Sequence, residues 1–318
     1  MKKIVAMALC ALPFFASAQA PWPEKPVRII IAAAAGGSTD AVTRMIAAEL
    51  TKRLGQSVVA ENRPGASGMI ATEAVARSSG DGYTFLAVFG AHAVNRVLHP
   101  KRPYSDNDLT GVSVYTRYPL LLAVNKTLPN TVRGLLEFAK ANPGAVTFAS
   151  GGDGTLAHLS GELFMQSGGV KLTHVPYKGG NTALPDMIAG RVGITFETIS
   201  VLGVHVKADK LNGLGLTAQE RSPLLPDVPT FTELGYPALN YYAWMAMLTQ
   251  AKTPPAIVAR MSAEIATVLN QPELKATLSG GTYGMEILAL SPALTNQFFD
   301  AEEKRWGAVI RQGGIRTE

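Results

Sequence analysis

Cysteine is almost missing from this chain. There is one in 318 residues, Cys10. It lies in an apolar stretch, Ile4 to Phe15, behind Lys2 and Lys3 and ahead of Ala16-Ser17-Ala18. A basic start, a short apolar run and small residues at a cut site make the pattern of a cleavable secretory signal peptide over 1–18. Met7-Ala8-Leu9 before Cys10 does not make a lipid-attachment box, because Leu9 is bulky and Met7 is out of place. Cleavage leaves no thiol, so disulfides, thiolate nucleophiles and cysteine metal sites are excluded. A thiol-free chain suits an oxidising compartment.

Other absences narrow the field further. No second apolar run is long enough to span a bilayer. The net charge of +5 falls to +3 without Lys2 and Lys3, and no dense basic block remains. That excludes a nucleic-acid partner. No Gly-x-Ser-x-Gly and no His-Glu-x-x-His occurs. The five histidines, His92, His99, His158, His174 and His205, are not spaced as metal ligands. Gly36-Gly37 lacks the third glycine of a dinucleotide fingerprint, with Asp40 in its place, and lacks the Gly-Lys-Ser/Thr ending of a phosphate loop. The expectation is therefore no catalytic residue, no metal and no cofactor.

What the chain does have is a repeated alternation of short apolar runs with amphipathic segments, which points to parallel sheets covered by helices. Strands are expected at Val27 to Ala34, Val58 to Ala60, Tyr83 to Phe89, Leu120 to Val124, Val146 to Ala149, Thr173 to Tyr177, Val192 to Phe196 and Leu214 to Thr217. Val42, Met45, Ile46, Leu50 and Leu54 recur at helical spacing, with Gly55 as the stop. Thr131 is placed to cap a helix carrying Leu135 and Leu136. Thr253-Pro254-Pro255 and Ser291-Pro292 each read as a cap followed by proline at the first helical position. The two late helices should pack back on the first unit. This predicts an α/β, periplasmic-binding-protein-like fold with the ligand in the cleft between two lobes joined by hinge strands. Lobe 1 would comprise 19–120 plus 242–318, and lobe 2 would comprise 121–241.

Two strand-to-helix junctions carry the functional reading. They are Gly36-Gly37-Ser38-Thr39-Asp40 and Ser150-Gly151-Gly152-Asp153-Gly154-Thr155. A helix start has unpaired N–H groups and a partial positive charge, so it holds an anion without a charged side chain. Two such starts facing one cleft would hold a small acid. Asp40, in the first helical turn, has a structural role there through the helix dipole.

The chain resembles the substrate-binding proteins of tripartite tricarboxylate transporters, the Bug receptors. The resemblance rests on an ordered set of segments: Trp22-Pro23-Glu24-Lys25-Pro26, Gly36 to Asp40, Glu61-Asn62-Arg63-Pro64-Gly65-Ala66, Asp81-Gly82-Tyr83-Thr84, Ala141-Asn142-Pro143-Gly144, Gly154-Thr155 with His158-Leu159, Val175 to Gly179, and Leu225-Pro226-Asp227-Val228-Pro229-Thr230. It implies a periplasmic receptor that closes on a small carboxylate and delivers it to inner-membrane transporter subunits. It also implies carboxylate contacts at Ala33, Ala34, Ala35, Gly36, Gly37 and Ser38 in the first junction, and at Ser150, Gly151, Gly154 and Thr155 in the second. His158, one turn into the second helix, either supports that junction or is a packed core histidine. Two departures bear on selectivity. Ala32-Ala33-Ala34-Ala35 replaces the family's Pro-Phe-Ala-Pro stretch, which makes the first loop roomier. Phe196-Glu197-Thr198 replaces Phe-Asp-Asn. Glu197 is either a partner for an amine on the ligand or a solvated surface carboxylate. His92 is either a specificity residue or a polar loop residue. A monomer is expected. The alternatives are a ligand sensor for a signalling partner and an exported hydrolase or decarboxylase.

Overall fold

The structure, a computed structural model, describes residues 22–177, 180–280 and 283–315. The expected signal peptide over 1–18 lies outside the described residues. In chain order the strands are β1 (Val27–Ile31), β2 (Val58–Asn62), β3 (Thr84–Phe89), β4 (Leu109–Tyr118), β5 (Leu120–Val124), β6 (Thr147–Ser150), β7 (Thr173–Pro176), β8 (Ile194–Thr198), β9 (Asn212–Leu216), β10 (Ala243–Gln250) and β11 (Glu286–Ile287). The helices are α1 (Ser38–Leu54), α2 (Met69–Ala76), α3 (Ala91–Leu98), α4 (Val132–Ala141), α5 (Leu156–Gly168), α6 (Leu184–Ile188), α7 (Ile199–Lys207), α8 (Pro255–Leu269), α9 (Pro272–Ser279) and α10 (Pro292–Gly313). Among the described residues no helix is long and apolar enough to cross a membrane.

Two sheets form, in the orders β11-β4-β10-β3-β1-β2 and β7-β6-β8-β5-β9. Both are mixed, which corrects the expectation of parallel sheets. β1 runs parallel to β2 and β3, and β6 runs parallel to β7 and β8. β10 lies antiparallel to β3 and β4, and β5 lies antiparallel to β8 and β9. The strands that reverse direction are β5 and β10, which enter and return from the other sheet, and the short edge strand β11, antiparallel to β4. The chain leaves the first sheet at Tyr118 and enters the second at Leu120, with only Pro119 between them. It returns through Tyr241 into β10.

Local chemistry explains most boundaries. α1 buries Val42, Ile46, Ala47 and Leu50 at three- and four-residue spacing and stops at Gly55, whose φ of 67° suits glycine. The Thr131 hydroxyl accepts the Gly134 N–H at 3.1 Å, as its position before α4 predicts. Ser291 accepts the Leu294 N–H at 3.4 Å, and Gly314 closes α10. Thr253 does not cap α8: Pro254 holds that position without a side-chain bond, and the buried Thr253 hydroxyl pairs with Thr249 at 3.0 Å. Strand β4 and helices α3, α6, α7 and α9 are elements that the periodicity did not mark.

The late helices are anchored by polar pairs inside apolar packing. Arg53 of α1 pairs with Glu264 of α8. Glu302 of α10 accepts the indole N–H of Trp244 at 2.8 Å and of Trp306 at 3.1 Å. Thr295 accepts the Val114 N–H at 3.0 Å, and Gly111 lets α10 approach, since a Cβ there would lie 2.5 Å from Thr295. α10 also touches α5, where Gln166 donates to the Val309 carbonyl at 3.1 Å. One buried apolar cluster therefore runs from Val27 through Phe148, Phe164 and Phe196 to Ile310, and both sheets share it.

Candidate functional site

The first junction leaves the C-terminal end of β1 and turns into α1 through Ala32 to Gly37. The Asp40 carboxylate shapes this turn. It accepts the Gly36 N–H at 2.9 Å, the Asn62 amide at 2.9 Å and the Arg44 Nε at 2.8 Å. Asn62 also donates to the Ala33 carbonyl at 3.1 Å. Burial works to raise the Asp40 pKa, but the Gly36 N–H, the Asn62 amide and the Arg44 guanidinium outweigh it and hold the carboxyl below its ordinary value. Asp40 is thus structural, as expected, but chiefly as a loop clasp. It also consumes one expected donor, the Gly36 N–H. The N–H groups that follow, Gly37 to Thr39, have no intrahelical acceptor, because they begin α1. These residues line a cavity of about 540 Å³ together with Ala33, Ala34 and Ala35.

The second junction leaves β6, and its loop is knitted internally. Ser150 Oγ accepts the Gly152 N–H at 3.1 Å and lies 2.7 Å from His174 Nε2. The Thr155 hydroxyl donates to the Gly152 carbonyl at 2.7 Å and accepts the His158 N–H at 3.4 Å, so it caps α5. The Gly154 N–H donates to His158 Nδ1 at 3.1 Å. His158 and His174 stack with ring centroids 4.1 Å apart and planes 4° apart, and Phe148 stacks on His174 at 4.7 Å. Burial first, then the neighbouring His158, lowers the His174 pKa to about 4. His158 thus supports the junction, and it does so from a buried position.

The histidine pair raises two chemical readings, and the geometry disfavours both. Asp153, His158 and His174 bring ligand atoms within 4.8 Å of one another. Parallel stacked rings, however, direct their in-plane lone pairs side by side rather than at one point, so the group is not shaped for a metal. Ser150, His174 and Asp153 also have the connectivity of nucleophile, base and acid, with His174 Nδ1 3.4 Å from Asp153. Ser150 is 1% exposed, so no substrate carbonyl reaches its hydroxyl. The serine and both histidines brace the loop.

A second cavity of about 350 Å³ adjoins the first and lies between the sheets. Ala32 to Ala34, Gly65, Ser67 and Phe89 line it from the first sheet, and Gly151, Thr155, Leu156 and Phe196 from the second. Tyr118, Glu197 and Thr198 border both cavities. The volumes fall in the range of small-molecule sites. The loop Gly65-Ala66-Ser67-Gly68 holds positive φ at all four residues, including 46° at Ala66 and 51° at Ser67. The Asn95 amide fixes it by donating to the Ser67 carbonyl at 2.9 Å. Ser67 Oγ reaches across to the Asp153 carbonyl at 3.5 Å.

Most of the sequence-predicted residues gather here. Ala33 to Ser38, Gly151, Thr155 and Glu197 line the cleft. Ser150 and Gly154 lie behind the second wall, with their polar atoms turned to the histidines. His92 lies apart. It is 4% exposed on α3, packs on Phe299 with ring centroids 5.6 Å apart and borders only a narrow gap behind Ala32 and Gly68. It is neither a cleft residue nor a loop residue. Burial first, then Arg96 and Arg102, lowers its pKa to about 3. Glu197 is half-buried, and its Oε1 accepts the Thr198 N–H at 2.8 Å. Burial raises its pKa despite that bond. Sequence reasoning missed Tyr118, Ser67 and Phe89. The expected strand Tyr83 to Phe89 ended on one of them, and the family-like segment Glu61 to Ala66 stopped just before Ser67.

Residues 42–315 match the model of the tripartite tricarboxylate transporter family receptor. The chain is 34% identical over 302 residues to the protein BugT of Bordetella pertussis, covering 93% of this chain and 92% of that one. An R. palustris protein solved with adipate is 34% identical, with a TM-score of 0.85 over 93% of this chain and 99% of the other. MatC from Rhodopseudomonas palustris, solved with bound malate, is 29% identical, with a TM-score of 0.81 over 91% of this chain and 100% of the other. With the two-sheet fold and its shared cleft, these matches establish that the chain belongs to the tripartite tricarboxylate transporter family of solute-binding receptors.

Proposed function

We propose that this receptor captures a small carboxylic acid in the periplasm and delivers it to inner-membrane transporter subunits without transforming it. One observation carries the reading: two glycine-rich junctions open helices onto the same cleft from different sheets. Among the described residues no lysine or arginine lines either cavity. Negative charge would therefore be met by helix-start N–H groups and dipoles. The relatives solved with adipate and with malate support the ligand class.

The candidate binding residues are Ala33 to Ser38, Gly151 and Thr155, with Ser150 and Gly154 holding the second loop in shape. Lobe 1 is 19–120 plus 242–318 and lobe 2 is 121–241, so the hinge lies at Pro119 and near Tyr241. The chain is exported by a signal peptide over 1–18. Charge-assisted hydrogen bonds are worth about 1.5–3 kcal/mol each. A few of them reach micromolar affinity, about −8 kcal/mol, after ordering costs. Closure follows if the donors of both junctions meet the ligand only in the closed form.

A thermal-shift screen of the purified protein against carboxylic acids tests this, since binding to the folded state raises Tm by mass action. Hits confined to carboxylates, with no product formed on incubation, support the proposal. A screen that raises Tm only with nucleotides or metals refutes it.

A further inference from the structure

Glu197 brings a carboxylate to the cleft, on a side chain one methylene longer than the Asp of the family's Phe-Asp-Asn stretch. It borders both cavities, opposite Ala33 and Ala34, and its neighbours on that wall are Tyr118 and Thr198. Its hydrogen bonds run to its neighbour Thr198, from the backbone N–H to Oε1 and from the side-chain hydroxyl. Among the described residues no Lys or Arg pairs with it, although seventeen Lys or Arg contacts to carboxylates occur elsewhere, from Lys25–Asp81 to Arg305–Glu302. Both donors are neutral, so the charge of this carboxylate is left without a cation among the described residues. A dianion would set a second negative charge against this group. A ligand with an N–H donor at that end would complete it.

We propose that the ligand is zwitterionic, with a carboxylate held by the helix starts and an ammonium group held by Glu197. This rests on the carboxylate reading above and adds the chemistry of the ligand's other end. Ammonium binding would favour the charged form of Glu197, opposing the burial that disfavours it. The tetra-alanine loop opposite leaves room for the carbon chain, because Ala32 to Ala35 project only methyl groups.

The test uses chain-matched pairs measured by calorimetry at pH 7.5: succinate with 4-aminobutanoate, glutarate with 5-aminopentanoate, and adipate with 6-aminohexanoate. Members of a pair differ at one end only. In the best-binding pair the amino member is expected to bind about ten-fold tighter, the scale of one additional charge pair. Glu197→Gln should bring that ratio to about one or invert it. Gln keeps the Oε1 acceptor for the Thr198 N–H, so the variant retains its fold, which an unchanged Tm without ligand would verify. Dicarboxylates binding as tightly as their amino partners, or a ratio unmoved by Glu197→Gln, would overturn the inference and leave the carboxylate reading intact. Failure of both series, and of every carboxylate in the wider screen, would refute the carboxylate reading and this inference with it.

Discussion

Replacing Asp40 tests how the fold builds its site. The carboxylate is buried in the first turn of α1 and ties together three elements: the Ala32–Gly37 loop through Gly36, its own helix through Arg44, and the end of β2 through Asn62. Asp40→Ala leaves the Gly36 N–H and one Asn62 donor facing a void. Hydrogen bonds to a charged group are worth about 1.5–3 kcal/mol each. Arg44 is 48% exposed, so its share is small after solvent screening. The two remaining bonds are coupled through one carboxylate and do not add in full. A loss of about 3 kcal/mol follows, which corresponds to roughly 5–10 °C in Tm for a chain of this size. Asp40→Asn keeps one acceptor but loses the charge, so it should fall between wild type and Asp40→Ala. The loop it clasps also lines the cleft, so Kd for the best carboxylate should rise at least about ten-fold in Asp40→Ala. Differential scanning calorimetry and titration calorimetry read the two effects on the same samples. If both variants kept the wild-type Tm and Kd, the clasp would be an incidental contact and the reasoning would fail.

Three further outcomes follow from the same geometry. Thr155→Ala removes the cap of α5 and its bond to the Gly152 carbonyl, so Tm should drop by about 2 °C, the effect of roughly 1 kcal/mol, and carboxylate affinity should weaken several-fold. Gly37→Val should weaken binding by about ten-fold or more with Tm lowered by no more than about 3 °C, because φ is −81° and a Cβ there meets nothing closer than the Ala34 carbonyl at 3.8 Å. His174 predicts a pH effect. Its folded pKa, lowered to about 4 from 6.5 by burial and His158, means that the unfolded chain binds the proton first as pH falls. Its contribution is present above pH 6.5 and disappears between pH 6.5 and 4, a loss of order 2–3 kcal/mol. The Tm gap between wild type and His174→Gln should therefore shrink over that window. A gap that stays constant from pH 7 to pH 4 would contradict the assignment.

The junctions were legible in the sequence because they are local. An apolar run, then Gly-Gly-Ser-Thr-Asp or Gly-Asp-Gly-Thr, then a helical stripe states strand, turn and helix start within a dozen residues. α4 and α10 were legible for the same reason, through Thr131, Ser291 and Pro292. β4 was not, because Thr110, Gly111, Ser113 and Thr116 break its apolar pattern although the middle of the strand is buried. Nor was α3, since it begins at Gly90 without any side-chain cap, which left His92 to be read as a specificity residue or a polar loop residue. The histidine stack joins His158 of α5 to His174 of β7, 16 positions apart, where β7 pairs beside β6 and sets His174 next to Phe148, and no spacing rule anticipates it. Tyr118 and Ser67 reach the cleft because strand order brings distant segments to one end of the sheets. The reversal of β5 and β10 depends equally on tertiary pairing, so local alternation suggested parallel sheets where mixed ones form.

Helix-start N–H groups from both sheets grip one acid between them in the proposed complex. The most direct measurement is a crystal structure of the protein with its tightest carboxylate. A carboxylate oxygen should lie within hydrogen-bond distance, about 3 Å, of an N–H in Gly37 to Thr39, with the same molecule reaching Gly151 or the start of α5 directly or through one water. A ligand seated away from both helix starts, or held by a side-chain cation in their place, would contradict it.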